Sequence, residues 1–346
     1  MNNSLQLWDG NLSFITRPVP HVSAPNEVIV KVSYSGVCDI DVRILAGELP
    51  VSHCVVLGHE FAGVVSEVGT EVKNVSIGDR VVINPHMSCH LCCHCTRGQP
   101  EFCEKEQDQF LGIWRNGGWS QYTRVRAQNV HVLPPQVSLR HAILCEPISC
   151  ILHGFSFLHP LPTNSKILVY GSGIMGTLWL CILHFHGYRK VVLSETSEHR
   201  RNLATGLNLG FKVMHPDTIE AEAYDGQRLD KNWGFDALID CTTSASDFQK
   251  SVKWMTNGGK ILLFGCYPQD SEVKLNPYDI LNKELKIYGC KSNPFTFPQA
   301  IQLVRDMAEI YFNFDKLGIH LFQLTKYETA LSSLTKEHVE KVVFET

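Results

Sequence analysis

The sequence predicts an α/β protein in two parts. A barrel-like or sandwich-like β domain comes first, then a doubly wound parallel-sheet domain, and the last residues return to the first. Three observations predict this. Short β-rich runs broken by Gly and Pro turns fill the first part, as in EVIVKVSYSG (27–36), GVVSEVG (63–69) and DRVVINP (79–85). Beyond residue 160, apolar strand candidates recur evenly: KILVY at 166, KVVLSE at 190, FKVMH at 211, DALID at 236, KILLFG at 260 and LKIYGC at 285. Each pair is separated by enough chain for a helix, the pattern of a parallel sheet covered on both faces. Finally, TFPQAIQLVRDMAEIYF reads as a helix and EKVVFET as a closing strand. The segment HPLPTNS (159–165) reads as the boundary loop, and the expected division is 1–155, 156–292 and 293–346.

The 346 residues are enough for two domains. Hydrophobic residues at 44% and charged residues at 19% are those of a soluble globular chain, and a net charge of -4 argues against nucleic-acid or anionic-membrane partners. No run of about 18 apolar residues could span a bilayer. The start, MNNSLQLWDGNLSF, lacks a basic segment followed by an apolar core, so no signal peptide is expected. Free thiols without an export signal point to the reducing cytoplasm.

Along the first part, Cys38 sits in SGVCDID, and His59 and Glu60 sit in LGHEFAG between Gly58 and Gly63. Next come Cys89, Cys92, Cys95 and Cys103, spaced C-x2-C-x2-C-x7-C. Four thiolates at this spacing fit one tetrahedral zinc with no open corner, hence a structural ion in a lobe spanning about 86–110. His86, His90 and His94 lie beside the cluster and are unnecessary to it. Thirteen cysteines, an odd number in a large chain, argue against a disulfide framework. Cys54, Cys93, Cys145, Cys150, Cys181, Cys241, Cys266 and Cys290 read as buried thiols or spare neighbours. A working metal would keep about three protein ligands and one open position. Its candidates are Cys38, His59, Glu60 and Glu146 (in LCEPIS); singly, Cys38 and His59 are more often core residues than ligands, and only the cysteine cluster and the glycine loop together reverse that.

In the second part the strand KILVY runs into GSGIMG and then an apolar helix-like stretch. This order is the context a dinucleotide fingerprint requires. Gly171 permits the tight turn, Gly173 lets backbone approach a pyrophosphate, and Gly176 lets helix pack on strand, with Ile174 and Met175 between. Glu195, ending the second strand, is placed to accept ribose hydroxyls and repel a 2′-phosphate, which favours NAD over NADP. Arg200 and Arg201 nearby blur that choice.

Taken together, GVCxxD, GHE, GDRV (78–81), the cysteine lobe, GGWSQY (117–122), the Glu146–Pro147 pair and GSGIMG resemble the zinc-containing medium-chain dehydrogenase/reductase family, in its sorbitol (polyol) and threonine dehydrogenase branch. The resemblance spans nearly the whole chain. It implies a GroES-like catalytic domain and a Rossmann domain, two zinc ions (one catalytic, one structural), and a homodimer or homotetramer with LKIYGC as a pairing edge. It puts Cys38 and His59 on the catalytic zinc, with Glu60 and Glu146 as further ligands. It maps cofactor contacts to Ile174, Glu195, Arg200, Phe264, Gly265, Cys266, Tyr288 and Gly289.

One departure stands out. The family's C-x-[ST]-D-x-H is here Cys38-Asp39-Ile40-Asp41-Val42-Arg43. Ile40 replaces the hydroxyl and Arg43 the histidine of the proton relay, and neither is a serviceable base. Asp41 remains as an orienter. The expected reaction is reversible oxidation of a secondary alcohol (polyol, sugar alcohol or amino alcohol) to a ketone, with Glu146, or Glu60 through water, as the substitute base. Arg43 is expected to pair with Asp39, Asp41 or the cofactor pyrophosphate, or else to hold an anionic substrate group. Two other readings stand beside this one: a reductase of a conjugated or imine bond, and an inactive NAD(H)-binding protein.

Overall fold

The chain opens on a hairpin that its tip dictates. Strands β1 (Asn2–Trp8) and β2 (Asn11–Arg17) pair antiparallel around Asp9 and Gly10. Both tip residues have positive φ (45° and 79°), as a two-residue turn matching strand twist needs. The computed structural model describes residues 1–105, 109–229, 233–334 and 339–346, and within these all side chains but those of 223 and 226–229. Residues 106–108 of the expected cysteine lobe lie outside that description.

β3 (Glu27–Gly36) is the central strand of the first part, and Val28, Val30 and Val32 bury one face of it. β4 (Cys54–Val56) pairs with β1, completing a three-stranded sheet. β5 (Phe61–Val68), β6 (Arg80–Ile83), β7 (Tyr122–Arg126) and β8 (Val130–Val132) belong to the sheet built on β3.

The second part holds β9 (Ile167–Tyr170), β10 (Val191–Ser194), β11 (Lys212–Met214), β12 (Phe235–Asp240), β13 (Met255–Leu263) and β14 (Lys286–Gly289). All pair in parallel, in the order β11-β10-β9-β12-β13-β14. The order reverses between β9 and β12, the switch point where doubly wound sheets bind ligands. Leu168, Leu238 and Ile261 are fully buried in its core. β14 is an edge strand.

The tail supplies a helix, Phe297–Tyr311, then β15 (Ile319–Gln323) and β16 (Lys341–Glu345). β16 lies antiparallel to β3 and parallel to β15, so the first sheet reads β15-β16-β3-β5-β6-β8, with β7 also on β3.

The chain divides into two compact units, Met1–Cys150 with Asn293–Thr346, and Ile151–Ser292. The first division falls inside the continuous helix Cys145–Leu158, as the expected division at 155/156 also does. No helix among the described residues is long and apolar enough to cross a membrane.

Candidate active site

Strand register brings the first group together. β3 pairs with β5 so that Ser35 faces Phe61, and the Gly36 N–H donates to the Glu60 carbonyl at 2.7 Å. His59 and Glu60 therefore enter β5 beside the point where β3 gives way to Cys38. Cys38 caps the helix Asp39–Leu45, and the Asp41 carboxylate accepts the Cys38 N–H at 2.9 Å, a reciprocal cap that fixes the turn. The ligand atoms of Cys38, His59 and Glu60 lie within 4.8 Å of one another. His59 is 1% exposed and Glu60 is 2% exposed.

The chemistry of this group suits a borderline dication. Burial pushes the Cys38 thiol up, against the pull of His59; a bound cation is what lets such a thiol ionise. Burial alone would lower the His59 pKa, but Asp41 and Cys38 outweigh it and raise it well above the ordinary value. Asp41 Oδ1 faces His59 Nδ1 at 3.5 Å, both side chains buried, an ion-pair approach without an aligned hydrogen bond. A carboxylate behind a ligand imidazole orients the ring. Thiolate, imidazole and carboxylate form a zinc-type donor set.

Lys341 is a member of this site that the sequence reading missed. It opens β16, is 2% exposed, forms an ion pair with Glu60 Oε2, and donates from Nζ to the Val37 carbonyl at 3.1 Å. Glu60 and Cys38 are the anionic groups that raise its pKa against burial. In sequence it looks like a flanking charge on an apolar strand; only the β16–β3 pairing turns it inward. Gly36 is the matching concession, since a Cβ there would collide with Glu60 Oε2.

Glu146 and Arg43 are not among the three residues whose ligand atoms gather. Glu146 is 7% exposed but falls outside the 4.8 Å group; Glu146 Oε1 accepts from Cys150 Sγ at 3.5 Å. Burial raises its pKa, and Glu60 adds to that while His59 opposes it. Arg43 Nε donates to Glu48 Oε2 at 3.0 Å. The Asp41 carboxylate is turned inward to Cys38 and His59, and Glu48 lies just past the end of the helix that carries Arg43. Ile40 packs against the apolar cluster around Leu5, Ile44 and Trp119.

The cysteine lobe forms a second group. Cys89, Cys92, Cys95 and Cys103 present their sulfurs within 4.8 Å of one another. Cys92 and Cys95 sulfurs are 3.5 Å apart, and those of Cys89 and Cys95 are 3.9 Å apart. A tetrahedral zinc with bonds of about 2.3 Å needs sulfurs about 3.8 Å apart. The Leu91 and Cys92 N–H groups point at Cys89 Sγ (3.5 and 3.3 Å), and the Cys89 N–H points at Cys103 Sγ (3.3 Å). Backbone N–H donors from Cys95 and Glu104 pull the Cys92 thiol down to about 6. This is a thiolate-binding shell, and it fits zinc.

In the second unit, the paired ends of the strands form one line: Ser194, Tyr170, Asp240, Leu263 and Gly289. The residues expected at a cofactor follow it. Gly171 (φ 80°) makes the turn. A Cβ on Gly176 would collide with the Gly171 carbonyl, whereas one on Gly173 would meet nothing within 4 Å. So Gly176 is a packing necessity, while Gly173 borders open space of the kind a pyrophosphate needs. Gly173 caps the helix Ile174–Phe185 and brings no side chain to the N–H groups of its first turn, where Ile174 and Met175 lie, so the terminus suits an anion.

Glu195 is 5% exposed, and its oxygens already take protein donors: the Ser172 N–H (2.8 Å) and hydroxyl (3.2 Å) on one, the Ser197 N–H (2.8 Å) and Thr196 hydroxyl (3.2 Å) on the other. It ties the glycine loop to the second strand as well as carrying the charge expected of a ribose reader. Arg201 donates to the Glu195 and Thr196 carbonyls at 2.9 and 2.6 Å. Arg200 lies on the helix Glu198–Gly206. The Phe264 and Gly265 N–H groups donate to the Asp240 carbonyl at 2.9 and 2.8 Å. Cys266 is exposed beyond them, and Tyr288 stacks on Phe157 at 5.5 Å. Sequence reading also passed over Asp240, which is fully buried and accepts from Thr242 at 2.7 Å and from the Tyr267 hydroxyl.

Comparison with known proteins agrees with this architecture. Residues 24–135 match the alcohol dehydrogenase GroES-like domain, and residues 175–306 match the zinc-binding dehydrogenase domain. D-arabinitol dehydrogenase 1 of Uromyces fabae is 30% identical over 333 residues, covering 96% of this chain and 93% of that protein. A zinc-binding dehydrogenase from Sinorhizobium meliloti, solved bound to NADP, superposes with a TM-score of 0.91 at 28% identity, over 100% of this chain and 99% of that one. An alcohol dehydrogenase from Escherichia coli, solved with NADH, gives 0.88 at 27% identity, again over 100% and 99%. The chain belongs to the zinc-containing medium-chain dehydrogenase family, in its sorbitol- and threonine-dehydrogenase-like branch. It is thus an enzyme of the alcohol and polyol dehydrogenase class, whose cofactors are zinc and a nicotinamide dinucleotide.

Proposed function

We propose that the protein oxidises a secondary alcohol of a polyol, sugar alcohol or amino alcohol to a ketone, reversibly, with NAD as the favoured acceptor and two zinc ions per chain. The observation that carries this reading is the buried Cys38–His59–Glu60 group, backed by Asp41 and Lys341. Zinc held there would supply Lewis acidity that lowers an alcohol pKa, and the nicotinamide would supply the hydride acceptor.

The chain's own residues do the remaining work. Cys38 and His59 hold the metal, and Asp41 keeps the imidazole oriented. Glu60, restrained by Lys341, and Glu146 are the carboxylates available to take the alcohol proton, because Ile40 and Arg43 stand where a hydroxyl and a histidine would relay it. The glycine loop and the terminus of Ile174–Phe185 bind the pyrophosphate, and Glu195 disfavours a 2′-phosphate. Arg43, already paired with Glu48, supports neutral polyols over sugar phosphates as substrates. Arg43→Ala should then act equally on neutral and phosphorylated polyols; a loss confined to phosphorylated ones would restore the anion pocket.

A panel of polyols, amino alcohols and enones with both nicotinamide cofactors tests the reading. Polyol oxidation with NAD supports it. Turnover of enones alone points to the conjugated-bond reductase, and NADH binding with no turnover points to the inactive binder. Glu146→Gln should lower kcat by about 10²- to 10⁴-fold if this carboxylate is the base, and full activity in that variant transfers the role to Glu60.

A further inference from the structure

Beside the four-thiolate group lies a second cluster of metal-binding side chains that it does not use. Cys93, His94 and Glu104 present ligand atoms within 4.8 Å of one another. Cys93 and Glu104 are exposed, and Cys93 Sγ is 3.3 Å from Glu104 Oε1. His94 Nδ1 is buried yet has no hydrogen-bond partner among the described residues. An orphaned ring nitrogen beside a thiol and a carboxylate is a ligand set short of an ion.

Local geometry keeps the two groups apart. Cys92 caps the short helix Cys93–Thr96, and Cys95 lies within it. Side chains one residue apart on a helix diverge by about 100°, so Cys93 turns away from the neighbours whose sulfurs gather with Cys89 and Cys103. Glu104 follows Cys103 directly, and that anchor holds it opposite Cys93 and His94.

We propose that Cys93, His94 and Glu104 form a third metal site, open and exchangeable, for a zinc-class dication. Thiolate, imidazole and carboxylate select Zn²⁺, Co²⁺ or Ni²⁺ over Mg²⁺ and Ca²⁺. Ligand atoms around a tetrahedral ion sit about 3.5 Å apart, so the three need close by little more than an ångström. Three protein ligands leave the fourth position to water, which makes the ion exchangeable where the four-thiolate ion is enclosed. Charge favours it too. Four thiolates on one dication leave two net negative charges next door, whereas a second dication with one thiolate and one carboxylate is neutral. The ion would tie the helix Cys93–Thr96 to the chain leaving Cys103, closing the lobe a second time.

The test is metal titration of the intact protein after dialysis against a weak chelator. The dialysed wild type should take up one further equivalent of Zn²⁺. With Co²⁺ in its place, a thiolate-to-cobalt absorption band should appear. Cys93→Ser should lose both the extra equivalent and the band while its metal content before titration stays that of the wild type. Glu104→Gln should weaken the extra binding by at least about tenfold. Absence of extra uptake in the wild type, or uptake and band persisting in Cys93→Ser, overturns the proposal. Polyol turnover is not read in this titration, so its outcome is separate from that of the catalytic reading.

Discussion

Lys341 and Glu60 form a buried ion pair, each side chain 2% exposed, at the root of the group made by Cys38 and His59. The pair joins the tail strand to the entrance of β5, so the last residues of the chain help set the charge of a site built from its first sixty. Against the cost of burial, Glu60, Cys38 and Glu146 are the groups that hold the buried Lys341 above its ordinary pKa.

Lys341→Met should therefore leave Glu60 buried and unpaired, destabilising the fold by about 3–5 kcal/mol. The double variant Lys341→Met with Glu60→Leu should recover a large part of that loss. Urea unfolding of the proteins stripped of the Cys38–His59 metal measures both. Equal stability of wild type and single variant removes the pair from the account.

The glycine loop offers a contrast between neighbours. Gly176→Ala should lower the melting temperature of the cofactor-free protein, because its Cβ collides with the Gly171 carbonyl. Gly173→Ala has open space and should leave that temperature unchanged while weakening NADH binding, followed by fluorescence. If both variants behave alike, the division between packing glycine and cofactor glycine is wrong.

Glu195→Gln keeps shape and most hydrogen-bonding capacity but removes charge. NADP should gain on NAD in relative kcat/KM, and because Glu195 also braces Ser172 and Ser197, affinity for both cofactors should fall. An unchanged NAD-to-NADP ratio would assign Glu195 to bracing alone.

Cys103→Ser removes one corner of the four-sulfur group. One zinc should be lost from each chain and the lobe should become sensitive to proteolysis, while the Cys38–His59 zinc stays. Retention of full zinc content would mean that Cys103 is not a ligand.

Much of this was legible because it is carried by short-range chemistry. The even spacing of apolar runs gave the parallel sheet, since each strand and helix needs its own buried residues. The cysteine spacing and the strand-glycine-helix order are local, so residue type and interval sufficed. The DG turn at Asp9 and Gly10 was equally readable as a hairpin signal but went unused. What the residues hid depends on pairing between distant strands. Lys341 becomes part of the site only because β16 lies against β3. The Arg43–Glu48 pair was not foreseen because it forms beyond the end of the helix Asp39–Leu45, where sequence spacing gives no register.

The most direct test is zinc content and NAD-linked polyol oxidation measured together on His59→Ala and wild type after dialysis against a weak chelator. The wild type should hold about two zinc ions and form NADH from a polyol; the variant should hold about one and form none. A variant that keeps both the wild-type zinc content and its turnover would contradict the assignment of Cys38, His59 and Glu60 as the working centre.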